Sequence, residues 1–291
     1  MLVRSSPISP ITSPIRSRAG SVCRRAIPSD WRADLDDRDF GDGAALIFGA
    51  TGGIGSAVAA TFARAGSDVA IGYRSNQARA DNLHDVISAM GRRASLHRCD
   101  VTEASDATTA VAEAVAAHGR IHTMIWAAGP LVDQAYLADV TIEQWRRAVD
   151  IETHGFFNAA RAAIAHMRGA GGGAIVHLGS AGDLRWPPKD GLSVVPKAAN
   201  EALVKGIARE EGRYGIRANS VLIGVIEAGM FLELSKQGAF DEVWAKDALR
   251  NLAIKRWGRP EEVGHAAVFL ASSKAAYVTG QQIAVSGGYG I

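Results

Sequence analysis

The sequence predicts an α/β protein built on a doubly wound, seven-stranded parallel sheet with helices on both faces. Two observations carry that reading. The run Ala44-Ala45-Leu46-Ile47-Phe48 is wholly apolar, as expected of a central parallel strand covered on both sides, and it breaks into Gly49-Ala50-Thr51-Gly52-Gly53-Ile54-Gly55, a glycine-rich turn that opens a helix. From there to the last residue, short apolar runs alternate with helical patterns, the signature of repeated strand-helix-strand crossovers.

The composition bounds the rest. With 291 residues, 47% of them hydrophobic, the chain can bury one large core. No apolar run approaches a membrane span, so no membrane partner is expected. Cys23 and Cys99 are far apart and imply no disulfide framework, which points to a reducing compartment. Net charge is +2, but Arg4, Arg16, Arg18, Arg24 and Arg25 all precede the first acid, Asp30. The remainder is therefore acidic and is not expected to bind nucleic acid. Residues 1–40, rich in Ser, Pro and Arg without periodicity, read as a disordered tail, and residues 41–291 as a single domain. A transit peptide would suit the arginines, but Pro7, Pro10 and Pro14 break the amphipathic helix that import needs. A cytoplasmic location is expected.

Each element then has its own grounds. Gly49 permits the tight turn, and Gly53 and Gly55 allow backbone to approach closely where a Cβ would intrude. The helix over 54–64 offers free N–H groups from Ile54 onward, an anion site. The spacing is G-x-x-x-G-x-G, and on it the chain resembles the short-chain dehydrogenase/reductase family over residues 42–291. That resemblance implies a Rossmann-type fold, a nicotinamide cofactor held by Gly49, Gly53, Ile54 and Gly55, and a small-molecule substrate.

The second strand, 68–72, ends in Tyr73-Arg74-Ser75, beside the adenosine ribose in any doubly wound nucleotide site. No acid is present there to repel a 2′-phosphate, and Arg74 could pair with one, so NADP is expected over NAD. After the third strand, 94–98, Asp100-Val101 matches the family pair at the adenine. A helix with Ala107, Val111 and Val115 on one face follows. The fourth strand, 121–126, ends Trp126-Ala127-Ala128-Gly129, where the family has Asn-Asn-Ala-Gly; Gly129 still suits close approach to cofactor. Thr141-Ile142-Glu143-Gln144 fits a capping box for one long helix reaching about residue 168. Glu152 falls where relatives carry the Asn of their proton relay, with His154 two residues on.

Ser180, at the end of the fifth strand (174–178), matches the family's active-site serine. Thirteen residues later the family has Tyr-x-x-x-Lys; here the stretch is Ser193-Val194-Val195-Pro196-Lys197. The lysine is kept and the phenol, the family's general acid and base, is lost. The next helix is expected over 197–212, a segment that in relatives packs against a second copy, so a homo-oligomer, a tetramer, is expected. After the sixth strand (217–222), Gly224 and Ile226 would meet the nicotinamide end of the cofactor, although Ala228 replaces the family's phosphate-binding Thr. Residues 230–252 mix Met230, Phe231, Leu234, Phe240, Val243 and Trp244 with charges and read as the cover of an apolar, polycyclic substrate. From Arg256 the match to the family is close, ending Ser286-Gly287-Gly288 where relatives place Asp before the glycines.

Ser180, Ser193 and Lys197 are thus the candidate catalytic residues, and no metal site is expected. Three readings stay open at this point. One is an NADP-dependent oxidoreductase of a ketone, oxoacyl or secondary alcohol group, its proton coming from Ser193, Tyr136 or the substrate. The others are a non-redox dehydratase, isomerase or cyclase, and a silent NADP-binding module.

Overall fold

A computed structural model describes residues 39–291. The strands are β1 (Ala44–Phe48), β2 (Asp68–Tyr73), β3 (Ala94–Arg98), β4 (Ile121–Trp126), β5 (Gly173–Ser180), β6 (Ile216–Ile223) and β7 (Gln282–Val285). They lie side by side in the order β3-β2-β1-β4-β5-β6-β7, and every pairing is parallel. The order reverses direction between β1 and β4, which opens a crevice beyond the carboxyl ends of those two strands.

The helices are α1 (Gly53–Arg64), α2 (Gln77–Ala89), α3 (Ala104–His118), α4 (Ile142–Val149), α5 (Gly155–Gly169), α6 (Gly191–Glu211), α7 (Gly229–Lys236), α8 (Glu242–Arg250) and α9 (Pro260–Ala271). One core packs α1, α2 and α9 on the sheet through Val58, Phe62, Leu83, Ile87, Val263 and Leu270. The other packs α3, α5 and α6 on the opposite face through Val111, Phe156, Met167 and Val204. The central strands are covered on both faces, which is why β1 and β4 are buried at every position.

Several strand ends differ from the sequence reading by one or two residues, and three differences are larger. The expected long helix over 141–168 is two helices joined by one turn of π-helix, Asp150–His154, whose extra residue per turn rotates Glu152 inward. Helix α6 begins at Gly191 and not at 197, and Pro196 sits inside it. Ser193 and Lys197 consequently share one helix face, a turn apart. The expected tail over 1–40 lies outside the described residues except for Asp39 and Phe40, and both of these pack on the domain. Phe40 stacks on Phe62 at 5.3 Å and on His122 at 5.0 Å, and Asp39 Oδ1 lies 2.6 Å from Lys274 Nζ.

A lone aromatic residue without periodic neighbours gives no signal in sequence, so Phe40 was indistinguishable from tail. Phe40→Ala should cost on the order of 1 kcal/mol, read as a melting temperature lower by ~2–4 °C in a chain of this size. An unchanged thermal transition would show that the stack contributes nothing.

Candidate active site

The loop after β1 shows why glycine is required there. Gly49 has φ +80, and a Cβ on it would lie 2.5 Å from Ala128 N, on the loop after β4. A Cβ on Gly53 would overlap Gly229 N, where the loop from β6 enters α7. Gly52 supplies no side-chain cap to α1, so the first-turn N–H groups are left to face the crevice. The residues present fit a dinucleotide: an uncapped helix N-terminus borders a cavity that Gly224 and Ile226 line from the far side.

That cavity, of about 490 Å³, gathers most of the candidate residues. Gly53, Ile54, Gly55, Gly129, Ser180, Ser193, Lys197, Gly224 and Ile226 all line it. Four others stand apart. Gly49 lies beneath the turn, Arg74 is exposed just past the end of β2, and Asp100 spends Oδ1 on Thr102, at 3.1 Å from its N and 2.8 Å from its Oγ1. Val101 is buried beside Gly155, where an added Cβ would come within 2.9 Å of the Val101 and Trp126 side chains.

Lys197 is held by Glu152. Its Nζ donates to Glu152 Oε2 at 2.5 Å, while Trp126 Nε1 donates to Oε1 at 2.8 Å. Beyond the carboxylate lies His177 on β5, fully buried, its Nε2 3.8 Å from Glu152 Oε1 and its Nδ1 2.8 Å from Glu201 Oε1. Asn200 Nδ2 donates to the Glu152 carbonyl oxygen at 3.0 Å, and Gln282 Nε2 donates to Glu201 Oε2 at 2.9 Å. Burial disfavours a charged Glu152, yet the Lys197 ammonium and the His177 imidazole outweigh it and hold the carboxyl below the ordinary range. Burial likewise opposes a charged His177, and the two flanking carboxylates outweigh it, raising the imidazole above its ordinary value.

The departures in sequence are therefore one coupled change. Trp126 fills the place of an amide and supplies the indole donor that Glu152 needs. Its ring packs edge-on to Phe156 at 5.8 Å and tilts against Phe48 at 6.1 Å. Gly129 completes the fit, since a Cβ there would lie 2.8 Å from Glu152 Oε2.

The remaining candidates are placed as follows. Ser180 Oγ accepts from Gly182 N at 3.1 Å and so shapes the turn after β5. His154 points outward and pairs with Asp150 at 3.0 Å, away from the cavity. Tyr136 is 58% exposed, lies under Lys189 Nζ at 5.1 Å from its ring centre, and does not line the cavity. Sequence reasoning missed Gln134, Asp190 and Tyr289, all three on the cavity wall. The segment 230–252 forms that wall's aromatic side: Phe240 stacks on Trp244 at 4.1 Å, with Phe231 and Trp257 alongside. Val243, by contrast, is 68% exposed.

A parallel sheet in this order, with a glycine turn and a serine and lysine gathered at its crevice, defines a nucleotide-dependent enzyme scaffold. The comparisons place it more narrowly. The sequence profile described as enoyl-(acyl carrier protein) reductase matches residues 49–290. Cyclohexanol dehydrogenase of an Acinetobacter species is 33% identical over 250 residues, covering 86% of this chain and 96% of the relative. The 3-oxoacyl-(acyl-carrier-protein) reductase of Chlamydia muridarum is 30% identical, covering 84% and 96%. Among solved structures, a short-chain type dehydrogenase/reductase from Mycobacterium ulcerans superposes with a TM-score of 0.81 at 30% identity, covering 86% and 90%. A 7α-hydroxysteroid dehydrogenase complexed with NADH and 7-oxo glycochenodeoxycholic acid superposes with a TM-score of 0.79 at 28% identity, covering 88% and 97%. The chain belongs to the short-chain dehydrogenase/reductase family, and it is an oxidoreductase of that family by descent. Among the described residues, no helix is long and apolar enough to cross a membrane.

Removing Glu152 should show how much the network carries. Glu152→Gln leaves the ammonium and the imidazole without their shared carboxylate, and breaking a buried pair costs about 3–5 kcal/mol. With Lys197 partly accessible to water, about 3 kcal/mol is expected in urea unfolding near pH 6. The pH dependence has a defined sign. Glu152 and Glu201 are depressed, so their contribution is present above the ordinary carboxylate range and is lost as pH falls through their folded values. His177 is raised, so its contribution is present below the ordinary histidine range and is lost as pH climbs through its folded value. The wild type should be most stable between those ranges, and Glu152→Gln should flatten the acid limb. A variant as stable as wild type, with the same acid limb, would refute the pairing.

Proposed function

We propose that the chain is an NADP(H)-dependent oxidoreductase acting on a ketone, oxoacyl or secondary alcohol group of an apolar, ring-bearing substrate. The observation that carries this reading is a single cavity with the glycine turn at one end and the Phe231, Phe240, Trp244 and Trp257 wall at the other, Ser180, Ser193 and Lys197 lying on its lining. The steroid ligand of the 7α-hydroxysteroid dehydrogenase and the cyclic alcohol in the name of cyclohexanol dehydrogenase support the substrate class. A homotetramer belongs to the same proposal, on the ground that the segment forming α6 packs against a second copy in the family the chain resembles.

Bound reduced nicotinamide would supply hydride. The protein's part is to hold and to charge. Gly53, Ile54 and Gly55 present backbone to the cofactor, and Ser180, fixed by its bond with Gly182, offers a hydroxyl to a substrate oxygen. Lys197 is ion-paired with Glu152, so its ammonium acts on a neighbouring group less strongly than a free one would. A silent module is disfavoured by the same network, because a site released from function has no need for a buried carboxylate satisfied by an indole, an ammonium and an imidazole.

Arg74 carries the choice of NADP. Its guanidinium is exposed and near enough to Asp100 to help hold that carboxyl below the ordinary range, after the Thr102 hydroxyl. Arg74→Ala should weaken NADPH by about 1.5–3 kcal/mol, the range for a charge-assisted contact, with NADH nearly unchanged. Binding is read by fluorescence titration, and turnover by absorbance at 340 nm with a panel of cyclic ketones. Equal losses for both cofactors would remove the NADP assignment; binding without oxidation of any ketone would favour the silent module.

Restoring the family's phenol tests the lysine's changed role. Ser193→Tyr alone should gain little, because Glu152 cancels the charge that would acidify the new hydroxyl. Ser193→Tyr with Glu152→Asn should gain more than the two single changes together, up to the ~10²–10⁴-fold of general-acid catalysis. Strict additivity in kcat would count against the coupling.

A further inference from the structure

Replacing the family's tyrosine with Ser193 leaves the cavity without its usual proton donor, and Lys197 is engaged by Glu152. Three other side chains on the wall can carry a titratable proton, Asp190, Tyr289 and Asp247, and the last is largely exposed and paired with Arg250 at 3.4 Å. Asp190 sits at the N-cap of α6, a position where aspartate ordinarily turns its carboxylate back onto the helix's own N–H groups. Here it makes no such bond. The Ser193 and Val194 N–H groups bond to the Asp190 carbonyl oxygen at 3.0 and 2.9 Å, and the carboxylate is released to the cavity. Gln134 Nε2 donates to Oδ1 at 3.0 Å. Among the described residues, Oδ2 receives no hydrogen bond.

The backbone is shaped to hold that orientation. Lys189, just before it, has φ +70, and it is the one non-glycine residue with positive φ among those described. Such a conformation is disfavoured for a residue with a Cβ and persists only where the surroundings impose it. The Ala135 N–H bonds to the Lys189 carbonyl oxygen at 3.0 Å, so the loop that carries Gln134 is stitched to the residue before the acid. Asp190, Ser193 and Lys197 follow one another at spacings of three and four, placing carboxyl, hydroxyl and ammonium on one side of α6. All three line the same cavity as Ser180.

We propose that Asp190 is the proton donor of this site, taking the place of the missing phenol. The proposal rests on the oxidoreductase reading. In the reducing direction the Asp190 O–H bond breaks and an O–H bond to the substrate oxygen forms, its electron pair being the carbonyl π pair. The new C–H bond takes its two electrons from the hydride of reduced nicotinamide. The carboxylate that remains recovers a proton from water, and in the oxidising direction it acts as the base. Burial pushes the Asp190 carboxyl above its ordinary value against the opposing effects of Gln134 and Lys197, which keeps acid form available for donation. Tyr289 is the weaker candidate: its phenol is pushed up by burial, with Arg185 opposing and Asp190 adding to the shift.

Three measurements test the assignment. Infrared titration of the cofactor-free protein should show a protonated carboxyl band that titrates above the ordinary aspartate range and is absent from Asp190→Asn; absence of that band from wild type overturns the proposal. With NADPH and a cyclic ketone, Asp190→Asn should lower kcat at least ~100-fold while fluorescence-detected NADPH binding stays within about threefold and Tyr289→Phe stays near wild type. A large loss in Tyr289→Phe with an active Asp190→Asn transfers the role to the phenol and overturns it. Gln134→Leu supplies a readout that mere structural damage would not give: loss of a donor that favours the carboxylate should move the basic limb of the kcat/KM profile to higher pH, and a limb that stays in place overturns the proposal. A protein that neither binds NADPH nor turns over any ketone overturns both readings, whereas one that oxidises NADPH at wild-type rate as Asp190→Asn overturns this one alone.

Discussion

A buried ion pair between Glu152 and Lys197 sets the terms for everything around it. Two charges withdrawn from water carry a desolvation cost of several kcal/mol each, and proximity alone does not offset it unless the remaining lone pairs are also satisfied. Here they are. The indole of Trp126 occupies one carboxylate oxygen at 2.8 Å, the ammonium the other at 2.5 Å, and the Glu152 backbone carbonyl takes Asn200. The π-turn over Asp150–His154 delivers Glu152 to that position, and Gly129 and Gly179 are glycines because a Cβ on either would collide with a carboxylate of the network.

That constraint reaches from the crevice to the far edge of the sheet. Glu152 on the helix layer, His177 on β5, Glu201 on α6 and Gln282 on β7 form an unbroken polar line through the apolar core over α5 and α6. The carboxylates that flank His177 on that line favour its charged form against the cost of burial. In relatives with an amide at the Glu152 position, Lys197 would face a neutral partner and keep its full field at the reacting centre. Here a carboxylate pairs with the ammonium at 2.5 Å, and the proton donor we propose lies on the wall formed by α6 and the loop carrying Gln134.

The sheet was legible in the sequence because parallel strands buried on both faces write themselves as continuous apolar runs, and the glycine turn because Gly49, Gly53 and Gly55 each answer a steric demand. Lys197 and Ser180 were legible through their match to the family's pattern. Much of the site was not. Trp126 and Glu152, read one at a time, looked like two losses; their bond spans 26 residues and only the fold brings the indole to the carboxylate. The expected start of the helix at 197 left out its first turns, and with them the fact that Asp190, Ser193 and Lys197 share a face. Asp190 carried one usable signal, an acid shortly before a helix, but that pattern ordinarily marks a cap; its release to the cavity depends on Lys189's left-handed backbone and on Gln134 from another loop. Phe40 and Tyr289 had none, since both act through contacts distant in sequence.

The mutual dependence of Trp126, Glu152 and Lys197 has a consequence for how such a site can change over generations. Restoring the amide at Glu152 first leaves the Lys197 ammonium without its ion-pair partner; shrinking Trp126 first opens a void against Phe48 and Phe156 and leaves a buried carboxylate oxygen without its donor. Every single step back toward the family's arrangement descends in stability before the next can recover it. Trp126, Glu152 and Lys197 are therefore expected to change together and not singly.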